Sequence, residues 1–198
     1  MCNRYGRTSL GRSPPPQVGS IMRKDVEVIT RPVRQITIKT GRPWSQFRAE
    51  YERAVPTFDR REAIGVVRSG GSWQAIRRLS EASAVNGFVN FFVFDLSPVM
   101  HLNGSTGNAV TYLTGNIVQA EQGFRQLPGC FLYLPLRMVI ADTDGTGEAS
   151  LSIDHPADLF AAYGDAALDA VAADFCSSLA ALLAHLGAPV PSELIATG

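Results

Sequence analysis

The order of apolar and polar positions divides the chain into short amphipathic pieces. Residues 25–40, "DVEVITRPVRQITIKT", alternate and are β-branched, which predicts a strand. Pro32 has no N–H for a ladder, so the main strand is expected over 33–39. In "GRPWSQFRAEYERAV" the period changes. Trp44, Phe47, Tyr51 and Val55 recur at helical spacing, with Pro43 in the first turn and Pro56 ending the helix. Residues 63–71, "AIGVVRSGG", read as a short extended piece. A second helix is expected in "SWQAIRRLSEASA", with Ser72 as its cap and Trp73, Ile76 and Leu79 on one face.

The second half continues the mixture. "GFVNFFVFDL" is a strand, residues 96–107 a loop, and "NAVTYLT" extended again. Asn116 caps the following helix, with Gln119 three residues on in a capping-box arrangement. "CFLYLPLRMVIADTDGTGEASLSID" predicts a hairpin turning at Asp144-Gly145. Gly164 then separates a short helix from a long one whose stripe is Leu168, Val171, Phe175, Leu179, Leu182 and Leu186. Strands and helices are interspersed around one hairpin, so the expected class is α+β: an antiparallel sheet with helices on one face and a long C-terminal helix.

Alternation assigns faces within the hairpin. Leu132, Leu134, Leu136, Met138 and Ile140 point to the core, and Phe131, Tyr133, Pro135, Arg137 and Val139 point away. A two- or four-residue loop pairs Met138 with Leu151 and Leu136 with Ile153, which sets Arg137 opposite Ser152 and diagonal to Asp154. Arg137 is therefore expected to be at least half buried and hydrogen-bonded to Asp154 or Asp95. It would serve either as a structural ion pair, costing on the order of 3 kcal/mol to break, or as an anion-binding group.

Length and composition fit this plan. A chain of 198 residues accommodates one domain with its own core. Residues 1–24, containing "SPPPQVGS", read as a disordered and dispensable leader, with Met1 or Met22 as the start. Residues 25–188 form the domain, and 189–198 a loose tail. The leader has no apolar core of a secretory signal, and no stretch reaches membrane-spanning length, so a cytoplasmic location is expected. Cys2, Cys130 and Cys176 show no ligand or disulfide spacing; no metal or cofactor is expected. Residues 1–78 carry a balance of +10 and residues 79–198 one of −10. The arginines are scattered without interleaved aromatics, so the halves are expected to attract each other and a nucleic-acid partner is not expected.

Candidate chemistry is sparse. Besides Arg137, Asp154 and Asp95, the candidates are His101 in a glycine-rich loop, Asn116 at its cap, and His155 beside Asp154. Each has a plain structural alternative: an ion pair, a loop histidine, a cap, a helix-entry turn. "HLNGSTGN" lacks the lysine of a phosphate loop, and "DTDGTGE" lacks calcium-ligand spacing. Two functions stay open. One is a non-catalytic module that binds a small-molecule or anionic ligand or a protein partner. The other is a small enzyme with Arg137, Asp95 and His155 in one pocket, which requires those groups to converge.

Several pieces in order resemble the domain of unknown function 302 family, the TT1751-like proteins. They are "FFVFD" ending at Asp95, Gly115-Asn116, "LYLPLR" at 132–137, Asp154 with Pro156, and the long last helix, over roughly residues 33–187. The resemblance implies an α+β fold, homodimers, a bacterial source and no established activity. Eight alanines in the last helix, among them Ala166, Ala173 and Ala181, also point to a second contact, with another helix or a protomer.

Overall fold

The computed structural model describes residues 28–142 and 147–195. The chain divides at Thr30, and residues 31–198 make up the folded unit. The leader and the Asp144-Gly145 turn fall outside the described residues. Five strands form one antiparallel sheet: β1 (Gln35–Pro43), β2 (Val89–Asp95), β3 (Asn108–Gly115), β4 (Leu136–Asp142) and β5 (Glu148–Asp154), in the order β1-β5-β4-β3-β2. Among the described residues, seven α-helices accompany the sheet: α1 (Trp44–Ala54), α2 (Arg60–Arg68), α3 (Trp73–Ser83), α4 (Ser97–His101), α5 (Ile117–Gln126), α6 (Pro156–Phe160) and α7 (Ala166–His185). The class is α+β, as the pattern predicts.

Strand alternation builds the core. Ile36 and Ile38, Val110 and Tyr112, Leu136, Met138 and Ile140, and Leu151 and Ile153 point to one face. They meet Phe47 and Tyr51 of α1, Phe160 of α6, and the stripe of α7 from Leu168 to Leu182 in a single cluster. Gly164, with φ +59°, lets the chain turn between α6 and α7. Asp165 then caps α7 by accepting from the N–H groups of Ala167 and Leu168.

Four local expectations are corrected. Residues 63–71 are mostly helical: Asp59 accepts from the N–H groups of Arg61 and Glu62 and starts α2, and this cap outweighs the β-branched Val66-Val67 pair. The 96–107 loop contains α4. Residues 131–135 are not strand. Pro128–Leu132 is a 3-10 turn, and Pro135 has no N–H for a ladder, so β4 starts at Leu136 and Leu132 is 76% exposed. The β4–β5 register is displaced by two residues, with Met138 opposite Ile153 and Ile140 opposite Leu151. A displacement of two preserves which side chains face the core, so the face assignment survives the register error.

Two larger expectations also change. Residues 189–195 are not loose: Leu194 is buried and the Glu193 carbonyl is hydrogen-bonded to His155. α7 does reach membrane-spanning length and composition, contrary to the expectation that no stretch would. Its stripe is buried in the core, and its outward alanines are interleaved with Asp169, Asp174 and Ser177. α7 packs on α5 and α6 within the chain, while Ala166, Ala167, Ala170, Ala173, Ala181 and Ala184 stay exposed among the described residues.

Candidate functional site

Of the polar residues singled out from the sequence, Arg137 and Asp154 approach each other and the rest lie apart. Arg137 is corrected most clearly. Its side chain is 71% exposed, and its nearest acid is Asp154, with Nη2 to Oδ2 at 3.9 Å. An exposed pair at that distance is worth at most about 1 kcal/mol, so the loss expected on breaking a buried pair does not apply. Both residues face the open side of the sheet, where they line two shallow grooves.

Asp95 belongs to the other face. It accepts from Arg48 Nη1 at 2.6 Å and from the Ser97 N–H at 3.0 Å. Burial alone would raise its pKa, but these bonds outweigh burial and lower it. Arg48 also bonds Glu52, which accepts from the Tyr112 hydroxyl at 2.9 Å. This is a closed ion-pair network on the α1 side of the sheet, and Arg137 is separated from it by the sheet itself.

His155 is 3% exposed and sealed. Its Nε2 lies 2.9 Å from the Glu193 carbonyl, and its Nδ1 faces Arg34 and Asp158. It holds the C-terminal segment and the entry to α6. His101 is exposed, with Nε2 3.0 Å from the Gly107 carbonyl, and it closes its own loop. The three groups of the expected enzyme pocket are therefore dispersed.

Asp158 beside His155 yields a pH prediction. It accepts three bonds from Arg34, from N and Nε at 2.8 Å and from Nη2 at 2.7 Å. These bonds, chiefly those from the guanidinium, hold the carboxyl down at about 2, against about 3.9 in an unfolded chain. The folded value is the lower one. The contribution to stability is therefore complete above about pH 4 and is lost as pH falls toward 2. Asp158→Asn is expected to lower stability at neutral pH and to flatten acid unfolding across that window, as measured by denaturant titrations at stepped pH.

The groups that do converge are apolar. A cleft of ≈ 510 Å³ opens beside the helix-covered side of the sheet. Trp73 of α3 forms one lip, and Phe124 of α5 and Phe131 form the other, with their rings 5.0 Å apart. Phe91 of β2, Leu134, Pro135 and the fully buried Phe175 of α7 make the floor and walls, and Ala120 of α5 leaves the space between them. A side chain at Gly115 would be tight here, because its Cβ would lie 3.2 Å from the Phe91 ring and 3.4 Å from Pro135, and those side chains would have to give by a few tenths of an ångström.

The Asn116 amide in the lining is already committed. Asn116 is the one sequence candidate in the cleft. Its Oδ1 caps α5 through Val118 and Gln119, and its Nδ2 donates to the Gly87 carbonyl at 2.9 Å. Gln119 turns from the expected capping box to donate to Ser178. Glu121 accepts twice from Arg125. Such a volume lies within the usual range for small-molecule sites, and an apolar wall selects ligands by shape and hydrophobicity. Sequence reasoning missed the cleft because its walls come from six separate segments. The only advance signal was the aromatic surplus around Phe124 and Phe131.

Three comparisons bear on this chain. The family model described as "Domain of unknown function DUF302" matches residues 67–186. The crystal structure of an uncharacterized conserved DUF302 protein from Bacillus stearothermophilus is similar at a TM-score of 0.54 and 16% identity, covering 77% of this chain and 97% of that one. No curated protein matches.

Proposed function

This chain belongs to the DUF302 family, and from that premise we propose that it is a non-catalytic module that binds a small apolar molecule in the α3–α5 cleft. The ligand class is a neutral aromatic or short aliphatic compound, because a charged group entering so apolar a cleft would lose water with little to replace it. The observation that carries this reading is the concentration of Trp73, Phe91, Phe124, Phe131 and Phe175 around one open volume. Exposed apolar surface of this kind is retained where something binds.

The test uses N-phenyl-1-naphthylamine, a neutral fluorescent probe. Saturable one-site binding that quenches tryptophan emission is expected, since Trp73 forms the lip. Ala120→Phe fills the cleft and should weaken binding at least about tenfold, or ~1.4 kcal/mol. Probe binding that does not saturate, or that Ala120→Phe leaves unchanged, would overturn the reading.

A further inference from the structure

The cleft does not end at its lip. Trp73 and Glu121, which line it, also line an adjoining groove of ≈ 440 Å³. There α3 packs on α5, and helical spacing decides what each offers. One turn beyond Trp73, α3 presents Arg77. One turn beyond Glu121, α5 presents Arg125, flanked by Gln122 and Gln126. The apolar volume therefore opens into a strip of guanidinium and amide donors. An indole suits that boundary, being apolar in its body and polar at its N–H.

The two arginines are held differently. Arg125 donates from Nε and Nη2 to Glu121, which balances its charge. Arg77 has its Nε 3.6 Å from Glu81, beyond hydrogen-bonding distance, and the two side chains are 51% and 61% exposed. So exposed a pair contributes little, and another carboxylate can replace Glu81 on Arg77 at small cost. The planar guanidinium fork holds a carboxylate at two points.

We propose that the ligand is an amphiphilic carboxylate, with a short apolar body in the cleft and its charged head outside, on Arg77. Gln122 and Gln126 supply further donors. The proposal rests on the cleft reading and extends it: the part inside the cleft is neutral, and the charge stays in the groove, where water still reaches it. A cationic head fits less well, because it would meet Arg77, while the groove's own acid, Glu121, is engaged by Arg125.

The test titrates octanoate, octanol and octylamine, which share one chain length, against the protein loaded with the naphthylamine probe. Octanoate should displace the probe at about fivefold lower concentration than octanol, and octylammonium should need the most. At about 1 M salt, where charges are screened beyond roughly 3 Å, the difference should shrink. Arg77→Gln should bring octanoate level with octanol. Arg125→Gln leaves Glu121 unbalanced and should turn the preference to octylammonium. Octanol displacing the probe as well as octanoate does, an octanoate preference that survives Arg77→Gln, or displacement by none of the three would overturn the head assignment and leave the cleft reading standing. A probe that does not bind in the cleft would overturn both.

Discussion

Asn90→Leu is expected to remove about 4 kcal/mol of stability, a large share of the roughly 5–15 kcal/mol that holds a domain together. Asn90 is buried at the bulge of β2 and works with both ends of its amide. Its Oδ1 accepts from Thr114 at 2.7 Å and from the Tyr51 hydroxyl at 3.1 Å, and its Nδ2 donates to the Val55 carbonyl at 2.7 Å. Its backbone joins the same segment, through Asn90 N to the Pro56 carbonyl and Phe58 N to the Asn90 carbonyl, each at 2.9 Å. Leucine has similar volume but leaves the Val55 carbonyl without its donor and, since Tyr51 and Thr114 can share only one bond between them, one buried hydroxyl proton without an acceptor, at about 1–3 kcal/mol each. Tyr51→Phe should cost only about 1 kcal/mol, because Thr114 still donates to Asn90. Urea unfolding of the two variants checks the contrast. Equal losses would show that the amide is not the centre of the network.

Phe175→Ala is expected to cost about 4 kcal/mol, the range for deleting a buried ring. Phe175 is fully buried, 6.3 Å from the ring of Phe88, and it also lines the cleft. The substitution therefore deepens the binding site as well as loosening the core. An apolar void stays dry and accepts small aromatic molecules. Saturating benzene at about a hundred times its Kd should return ~2.7 kcal/mol to the variant and less to the wild type. A variant whose melting curve ignores benzene would mean that the helices collapse into the gap and that cleft and core are not continuous.

Arg137 shows how far local pattern reaches. Alternation placed it on the face away from the core, and it lies there. Its burial and bonding were inferred from neighbours on a single hairpin, and both inferences failed. Burial on the outer face depends on what covers that face, and among the described residues nothing in the chain does. Asp95 teaches the same lesson from the opposite side. Its place at a strand end was readable, but its partner Arg48 sits 47 residues earlier on α1, a distance no motif spans. α2 was misread because Gly65 and two valines argued against a helix, while the cap that starts it lies at Asp59, outside the stretch being judged.

The sequence by itself determined the α+β class, the family, the strand faces, the cap at Asn116 and the buried stripe of α7. Each is set by spacing along a few consecutive residues: period two in strands, 3.6 in helices, and side-chain oxygens placed to bond the first free N–H groups. The tertiary structure decided the β4–β5 register, the sealing of His155 under Glu193, the gathering of five aromatic rings into one cleft and the exposure of Phe92 and Phe94. Those outcomes depend on which distant segments meet. A bulge of one residue or a loop of different length changes them while leaving local periodicity nearly untouched.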